Sequence, residues 1–307
     1  MSKDFKYLLF ISCITGTVLA ADFGLTCGSE GGVRSDRFGN AGPADRTFFF
    51  ITPSLAPFLT IAPWGRWSLE LDGNASSNLY TEGSGDVSIE SGVALIRHKR
   101  GKDLKARLSA GYYAQPGSLD PDQPEDYSQF SLLGEYRSKA RNPLRLSYTL
   151  SVLDDAGASR IDMKHKAKGK ITLKPGPSFM AGLGAGLGVN FSDTKGYRYF
   201  EADFPLSATY LINYDNFLTA MVYLNLRWYN GGGSDIKKIT PDKAPKAAGS
   251  GSPSSRTAGL FLSYCRSLSG SLDLEANGDL SFFDSDFGVA YVSYKVYAGV
   301  EWRYGYL

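Results

Sequence analysis

The sequence predicts an all-β fold, a single antiparallel transmembrane β-barrel of about twelve strands. Three observations lead to this prediction. Aromatic residues and glycines are abundant, with 19 Tyr, 18 Phe and 35 Gly in 307 residues, which favours strands joined by Gly-rich connections. Apolar and polar residues alternate with a period of two over much of the chain. Beyond the N-terminus, no stretch approaches the roughly 18 apolar residues of a membrane-spanning helix.

Residues 1–20 have the three parts of a secretory signal peptide. Lys3 and Lys6 give a positive start, the apolar run YLLFISCITGTVLA follows, and its last residues offer a small-residue cleavage site. This run is shorter than the roughly 20 residues that a spanning helix needs, so we expect a cleaved signal. Residues 21–45 are Gly-rich without an apolar period, and we expect a flexible N-terminal periplasmic segment.

Residues 46–307 are expected to form the barrel. The alternation is clearest in FLTAMVYLNLRWYN, where an apolar face from Leu218 to Trp228 opposes a polar face from Thr219 to Tyr229. Similar segments span residues 66–76, 87–96, 104–113, 128–137, 144–152, 161–173, 199–211, 257–265 and 271–283.

The number of strands rests on two ambiguous segments. The count of candidate segments is odd, whereas single-chain bacterial barrels have even numbers. The weakest candidate is 47–63, because its prolines cannot donate to a ladder. Leaving it out gives about twelve strands, which we favour; the total becomes about fourteen if residues 22–33 contribute a further strand.

The connections and the last segment carry a family resemblance. Tight turns alternate with longer polar loops, and in YAGVEWRYGYL the residues Gly299, Trp302 and Tyr304 follow a Gly-x-x-aromatic-x-aromatic pattern. In these features the chain resembles bacterial outer-membrane β-barrel proteins of the porin-like superfamily, although Leu307 stands where that family usually has Phe. The resemblance implies export to the bacterial outer membrane, tight turns in the periplasm, and outer-membrane lipid and the barrel-assembly machinery as partners. It leaves the oligomeric state open.

Four lysines alternate along one predicted strand: Lys164, Lys166, Lys168 and Lys170. Each would cost roughly 2–4 kcal/mol if it faced lipid near the midplane, so we expect the row to face the lumen. In the next segment, Gly182, Gly184, Gly186 and Gly188 fall on the same face and leave room for the lysine side chains.

The inward charges, the four lysines included, are segregated along the chain into two predicted groups. We call the first group the basic track; it comprises Lys164, Lys166, Lys168, Lys170, Lys105, Arg107, Arg137, Arg145 and Arg227. We call the second group the acidic wall; it comprises Glu70, Asp72, Glu90, Glu201, Asp203, Asp273, Glu275 and Asp279. A closed barrel brings early and late strands together, so we expect the two groups to face each other.

Several classes of function are disfavoured by the sequence. The chain carries 33 basic and 31 acidic residues, a balance that gives no case for nucleic acid as a partner. Neither His98 nor His165 has a serine two positions later, so no catalytic residue is predicted and we do not expect an enzyme. No metal-ligand spacing appears, so neither a metal nor a cofactor is predicted. Whether Cys27 and Cys265 pair is left open.

Two functions remain. The first is a passive diffusion channel for small polar or anionic solutes, whose selectivity is set by the basic track in a water-filled lumen. The second is a closed structural or adhesive barrel, in which salt bridges fill the lumen. In that case the extracellular loops carry the function, above all residues 230–256, which are rich in Lys, Pro, Gly and Ser.

Overall fold

The computed structural model describes residues 20–38, 46–81, 85–114, 126–155, 160–230, 254–286 and 290–305. It contains fifteen β-strand segments and one short 3-10 helix, Lys195–Tyr197. The strands are β1 (Ala20–Phe38), β2 (Arg46–Trp64), β3 (Trp67–Tyr80), β4 (Gly85–Lys99), β5 (Lys102–Ala114), β6 (Asp126–Ser138), β7 (Leu144–Asp155), β8 (Arg160–Leu173), β9 (Phe179–Ser192), β10 (Tyr199–Asp203), β11 (Leu206–Asn213), β12 (Asn216–Tyr229), β13 (Ser254–Ser269), β14 (Leu272–Ser285) and β15 (Ala290–Tyr304). Most of the predicted signal peptide and most of the 230–256 loop lie outside the described residues.

The strands form one antiparallel sheet that closes on itself. Neighbours in sequence pair with each other, and β1 pairs with β15 to complete the ring. The segments β10 and β11 both lie between β9 and β12, and their register is continuous, because Asp203 opposes Gly186 and Leu206 opposes Leu183. They are one strand interrupted near Pro205, which cannot donate a ladder hydrogen bond. The ring therefore has fourteen strand positions.

The ring has the higher of the two strand counts that the sequence allowed, fourteen instead of the favoured twelve, because β1 contributes a strand and β2 is a full strand despite its prolines. Residues from Ala20 to Asp36 all have register partners on β2, whereas the β2–β3 ladder lacks partners for Pro53 and Pro57. Two residues four apart on a strand direct their N–H positions to the same neighbour. Both missing donors therefore weaken one side of β2 and leave the other side intact.

The N-terminal segment also departs from expectation. Residues 21–45 were predicted to be flexible, but β1 occupies most of this range and pairs with both β2 and β15. Its glycines hide the alternation that marks the other strands. They are needed for close packing, because a Cβ at Gly24 would overlap the Phe58 ring and one at Gly32 would lie within 2.7 Å of the Tyr297 Cα.

The two faces of the sheet have opposite character, as the alternation predicted. Large apolar side chains cover the outer face and are exposed, including Leu108 at 58%, Phe130 at 61% and Val296 at 62%. The inner face is polar and encloses the lumen. Among the described residues, no helix is long and apolar enough to cross a membrane.

The connections differ at the two ends of the barrel. Six short connections, at residues 65–66, 100–101, 139–143, 174–178, 214–215 and 270–271, lie at the end where β1 starts and β15 finishes. We call this the short-turn end and the opposite one the long-loop end. Two of the tight turns use glycines with positive φ, Gly65 at 35° and Gly101 at 79°.

Candidate functional site

The lysine row lies on the lumen face of β8, where the sequence predicted it. It lines a cavity of about 770 Å³ together with residues from β6, β7, β9, β10 and β12. Hydroxyl side chains of β7 stand beside it in register, because Ser147 opposes Lys168 and Thr149 opposes Lys166. On the other side the register partners are glycines, with Gly186 opposite Lys168.

The first half of the row is neutralised by carboxylates two strands away. Lys164 Nζ lies 3.0 Å from Glu201 Oε2, and Lys166 Nζ lies 2.5 Å from Glu201 Oε1 and 2.6 Å from Asp203 Oδ2. These bridges cross the whole width of β9. They can do so only because β9 presents glycines there: a Cβ at Gly188 would stand 2.7 Å from Glu201 Cγ.

Glu201 is the centre of this cluster. Its side chain is fully buried, and Arg227 adds a third cation with Nε 3.6 Å from Oε2. The Lys164 ammonium lies 5.5 Å from the centroid of the Tyr199 ring, and the Arg227 guanidinium lies 5.2 Å from it. A buried carboxylate requires compensation of this kind, because an unpaired buried charge is strongly destabilising.

The second half of the row is different. Lys168 and Lys170 are exposed to the lumen, and neither has a carboxylate partner among the described residues. Arg145 and Arg137, also exposed, both contact Glu135, so this carboxylate is shared by two cations. The lumen surface of β6, β7 and β8 nearest the short-turn end therefore carries net positive charge.

A second interlocked cluster repeats the same construction. Lys105 Nζ lies 2.7 Å from Glu70 Oε2, and Arg107 Nη2 lies 2.6 Å from Asp72 Oδ1 and 3.1 Å from Glu90 Oε1. The bridges from β5 to β3 cross β4 where its side chains are small. A Cβ at Gly92 would lie 2.5 Å from the Arg107 Nε.

The predicted arrangement of the two charged groups needs correction. Most of the acidic wall does not face the basic track across the lumen. Five of its members are interleaved with the cations on strands one or two positions away, because small residues on β4 and β9 let the side chains meet. These five are Glu70, Asp72, Glu90, Glu201 and Asp203.

The rest of the acidic wall lies on β14. Asp273 pairs with Arg303, and Asp279 is the register partner of Lys295. Glu275 has no ion pair with a described residue and accepts a hydrogen bond from Asn277 at 3.4 Å.

Glu30 is a lumen carboxylate that the sequence does not predict, because the glycines around it hide the alternation of β1. It and Glu275 occupy one register row on either side of Gly299. In the ring of fourteen positions, β1 lies half a turn from β8, so Glu30 belongs to the strand opposite the lysine row; the same lumen surface also carries the cations Arg34 and Lys295.

The predicted assembly residues lie at the seam of the ring. Trp302 and Tyr304 face outwards at the short-turn end with ring centroids 5.9 Å apart, while Gly299 faces the lumen. A Cβ at Gly299 would lie 2.9 Å from Glu30 Cγ, so this glycine also makes space for a lumen carboxylate. Leu307 lies outside the described residues.

The part of the chain that the structure describes contains two histidines and two cysteines. His165 faces outwards and lies 2.6 Å from the Tyr148 hydroxyl through Nδ1. His98 lies at the short-turn end between Ser68 and Asp103, an arrangement that spacing along one strand could not reveal. Cys27 and Cys265 are both free thiols, on the outer and lumen faces respectively. Among the described residues, no group of three or more His, Cys, Asp and Glu side chains is placed to hold a metal ion.

Comparison with known proteins shows which solved structures share the fold of the chain and identifies no protein family for it. No protein-family model and no curated protein sequence matches the chain. Among solved structures, the chain is similar to the TodX monoaromatic hydrocarbon channel in its deltaS2 mutant, with TM-score 0.55 and 8% identity over 93% of this chain and 91% of that one. It is also similar to a bacterial polysaccharide outer-membrane secretin (TM-score 0.49, 11% identity, 93% and 98% covered) and to the outer-membrane channel DcaP of Acinetobacter baumannii (0.48, 11%, 93% and 98%). The similarity to the TodX channel shows the fold alone, which is a closed antiparallel β-barrel.

Proposed function

We propose that the protein is a passive diffusion channel of the bacterial outer membrane for small polar or anionic solutes. The observation that carries the proposal is the exposure of Lys168 and Lys170 to a lumen cavity of about 770 Å³ inside a closed ring. Ammonium groups without carboxylate partners inside a barrel need water or a passing anion as their counterpart. Either requirement favours an open, hydrated interior.

The outer face supports insertion in a membrane. Exposed aromatic residues concentrate near both ends of the strands, whereas most central positions are aliphatic, such as Leu108, Leu132 and Val222; Phe204 is an aromatic exception. Two aromatic girdles around an apolar band are typical of outer-membrane barrels. The girdle at the short-turn end includes Phe179, Tyr210, Trp302 and Tyr304; the one at the long-loop end includes Phe49, Phe130, Phe191 and Trp228.

The charges of the lumen favour anions along one side. Lys168, Lys170 and Arg145 lie on β8 and β7, and Glu30 on the opposite strand β1 draws cations away from them. An anion about 4 Å from one ammonium gains roughly 1 kcal/mol in bulk water and roughly 4 kcal/mol at an effective dielectric of about 20. A preference of this size is enough for selectivity and too small to trap the solute.

Planar-bilayer recording across a salt gradient tests the channel and its selectivity together. We expect conductance steps with a reversal potential on the anion side for the wild type. K168Q/K170Q should move the reversal potential towards cations, while the control R141Q/K174Q, which removes two exposed cations from short turns, should leave it unchanged. Absence of steps would exclude an open channel; an unmoved reversal potential in K168Q/K170Q would remove the role of these lysines.

One observation favours the second candidate, a closed structural or adhesive barrel. The buried cluster around Glu201 and the buried Arg160, whose guanidinium lies 3.6 Å from the Tyr197 ring centroid, fill part of the lumen towards the long-loop end. If this filling were complete, the function would rest on the loops, and deletion of residues 231–253 would abolish cell-surface binding without loss of folding. Conductance steps in the wild type decide against this candidate.

A further inference from the structure

Ser68, His98 and Asp103 form a hydrogen-bonded chain on three adjacent strands. Ser68 Oγ lies 3.0 Å from His98 Nε2, and His98 Nδ1 lies 3.0 Å from Asp103 Oδ1. The carboxylate can only accept, so Nδ1–H donates to Asp103 and Nε2 is left to accept from the Ser68 hydroxyl. This is the arrangement that activates serine nucleophiles: a base in the right tautomer, oriented by a carboxylate.

The fold holds these groups on rigid elements. His98 and Asp103 are register partners in the hairpin of β4 and β5, which the tight turn at Gly101 closes. Ser68 comes from β3, and the backbone bond from His98 N to Arg66 O, at 2.7 Å, fixes β3 against β4 at this point. Catalytic groups on strands keep their mutual geometry better than groups on loops.

Two lysines lie near the hydrogen-bonded chain of Ser68, His98 and Asp103. Lys139 Nζ lies 2.7 Å from Asp103 Oδ1 and compensates the charge of that carboxylate. Lys105 belongs to the same register row as Ser68, because both oppose Ile96 on β4. Its ammonium reaches back across β4 to Glu70, which lies two residues after Ser68 on the same face of β3.

We propose that Ser68, His98 and Asp103 are a nucleophilic serine site that cleaves esters of small solutes in the short-turn end of the lumen. Ser68 Oγ bonds to the carbonyl carbon and passes its proton to His98 Nε2. His98 returns this proton to the leaving alkoxide as the C–O bond breaks. Water then hydrolyses the acyl-serine through the same base and releases the acid.

The surroundings limit the substrate. Ser68 is only 6% exposed, so the acyl group must be slender, whereas the His98 side chain is 43% exposed and marks the side of approach. The site goes beyond diffusion through the channel and does not depend on it.

A fluorophosphonate probe on the full folded chain in detergent micelles tests the site. Ser68 Oγ displaces fluoride from phosphorus while His98 takes the serine proton, and peptide mapping by mass spectrometry identifies the labelled residue. We expect one adduct at Ser68, with labelling slowed about 10²–10⁴-fold in H98Q and in D103N. The matched control is S76A, since Ser76 lies on the same face of β3 but contacts Ser88 Oγ at 2.8 Å instead of a histidine.

Each outcome of the labelling experiment either supports or overturns the proposed serine site. The absence of a Ser68 adduct on the wild-type chain would overturn the proposal. So would an unchanged labelling rate in H98Q or D103N, for a variant that migrates as a folded barrel in heat-modifiable electrophoresis. An adduct at Ser68 that is lost in S68A, retained in S76A and slowed in the folded variants supports it. Bilayer conductance of S68A should equal that of the wild type, so failure of this site and failure of the channel are separate results.

Discussion

Lys166 and Asp203 meet at 2.6 Å across a strand to which neither belongs. Their strands, β8 and β10, are separated by β9, which places Gly186 and Gly188 beneath the bridge. Charged pairs in a sheet usually involve directly opposed residues on adjacent strands. Here the glycines remove the intervening side chains and let second neighbours pair, so the stability of the lumen cluster depends on residues that carry no charge.

The first prediction concerns these glycines. In G188A the added Cβ would stand 2.7 Å from Glu201 Cγ, so the bridge must shift, and we expect a loss of about 1–3 kcal/mol in the free energy of unfolding. Denaturant titration of tryptophan fluorescence in liposomes measures it. G134A is the control, because nothing lies within 4 Å of a Cβ at that outward position. Equal stability of the two variants would contradict the packing argument.

The second prediction concerns the buried carboxylate. E201Q leaves Lys164, Lys166 and Arg227 around a neutral group, and we expect a loss of about 3–5 kcal/mol in the free energy of unfolding. E275Q removes a carboxylate that has no ion pair with a described residue and should cost much less. The same titration compares the two, and a larger loss in E275Q would contradict the assignment.

The third prediction concerns Glu30 and Glu275, the lumen carboxylates on either side of Gly299. E30Q/E275Q removes two lumen carboxylates, and we expect the reversal potential to move further towards anions. The shift should shrink as salt rises, because the Debye length falls from about 10 Å at 0.1 M to about 3 Å at 1 M. D284N, which removes an exposed carboxylate outside the lumen on β14, should have no effect.

The fourth prediction concerns assembly. If Trp302 and Tyr304 form the signal for the assembly machinery, W302A/Y304A should lower the fraction of heat-modifiable, folded protein in outer-membrane preparations. W228A removes an outward aromatic residue at the other end of the barrel and serves as the control. Equal folded fractions in both variants would show that the two aromatic residues act only as part of a girdle.

The faces of the strands were predictable from the sequence, whereas their number and the side-chain pairing were not. Strict alternation assigned every member of the basic track and acidic wall to the lumen, because a period of two leaves no other face. It failed on β1 and β2, where glycines and prolines obscure the pattern although pairing with strong neighbours holds both strands in the sheet.

The lumen bridges depend on register across an intervening strand. A single sequence gives the faces but not which rows coincide, so the contact of Lys166 with Asp203 could not be predicted. The hydrogen-bonded chain of Ser68, His98 and Asp103 could not be predicted for the same reason, since each residue comes from a different strand. A search for His followed by Ser two positions later examines one strand only.

The seam between β1 and β15 has a consequence for biogenesis. It joins Leu25 to Tyr304, so the contact that completes the ring unites residues separated by almost the entire described chain. Contacts this remote form slowly, and until they do each of the two strands presents bare backbone donors and acceptors to any other nascent sheet. The unclosed intermediate is therefore the aggregation-prone species, and shielding those two margins is the task that a folding helper would have to perform.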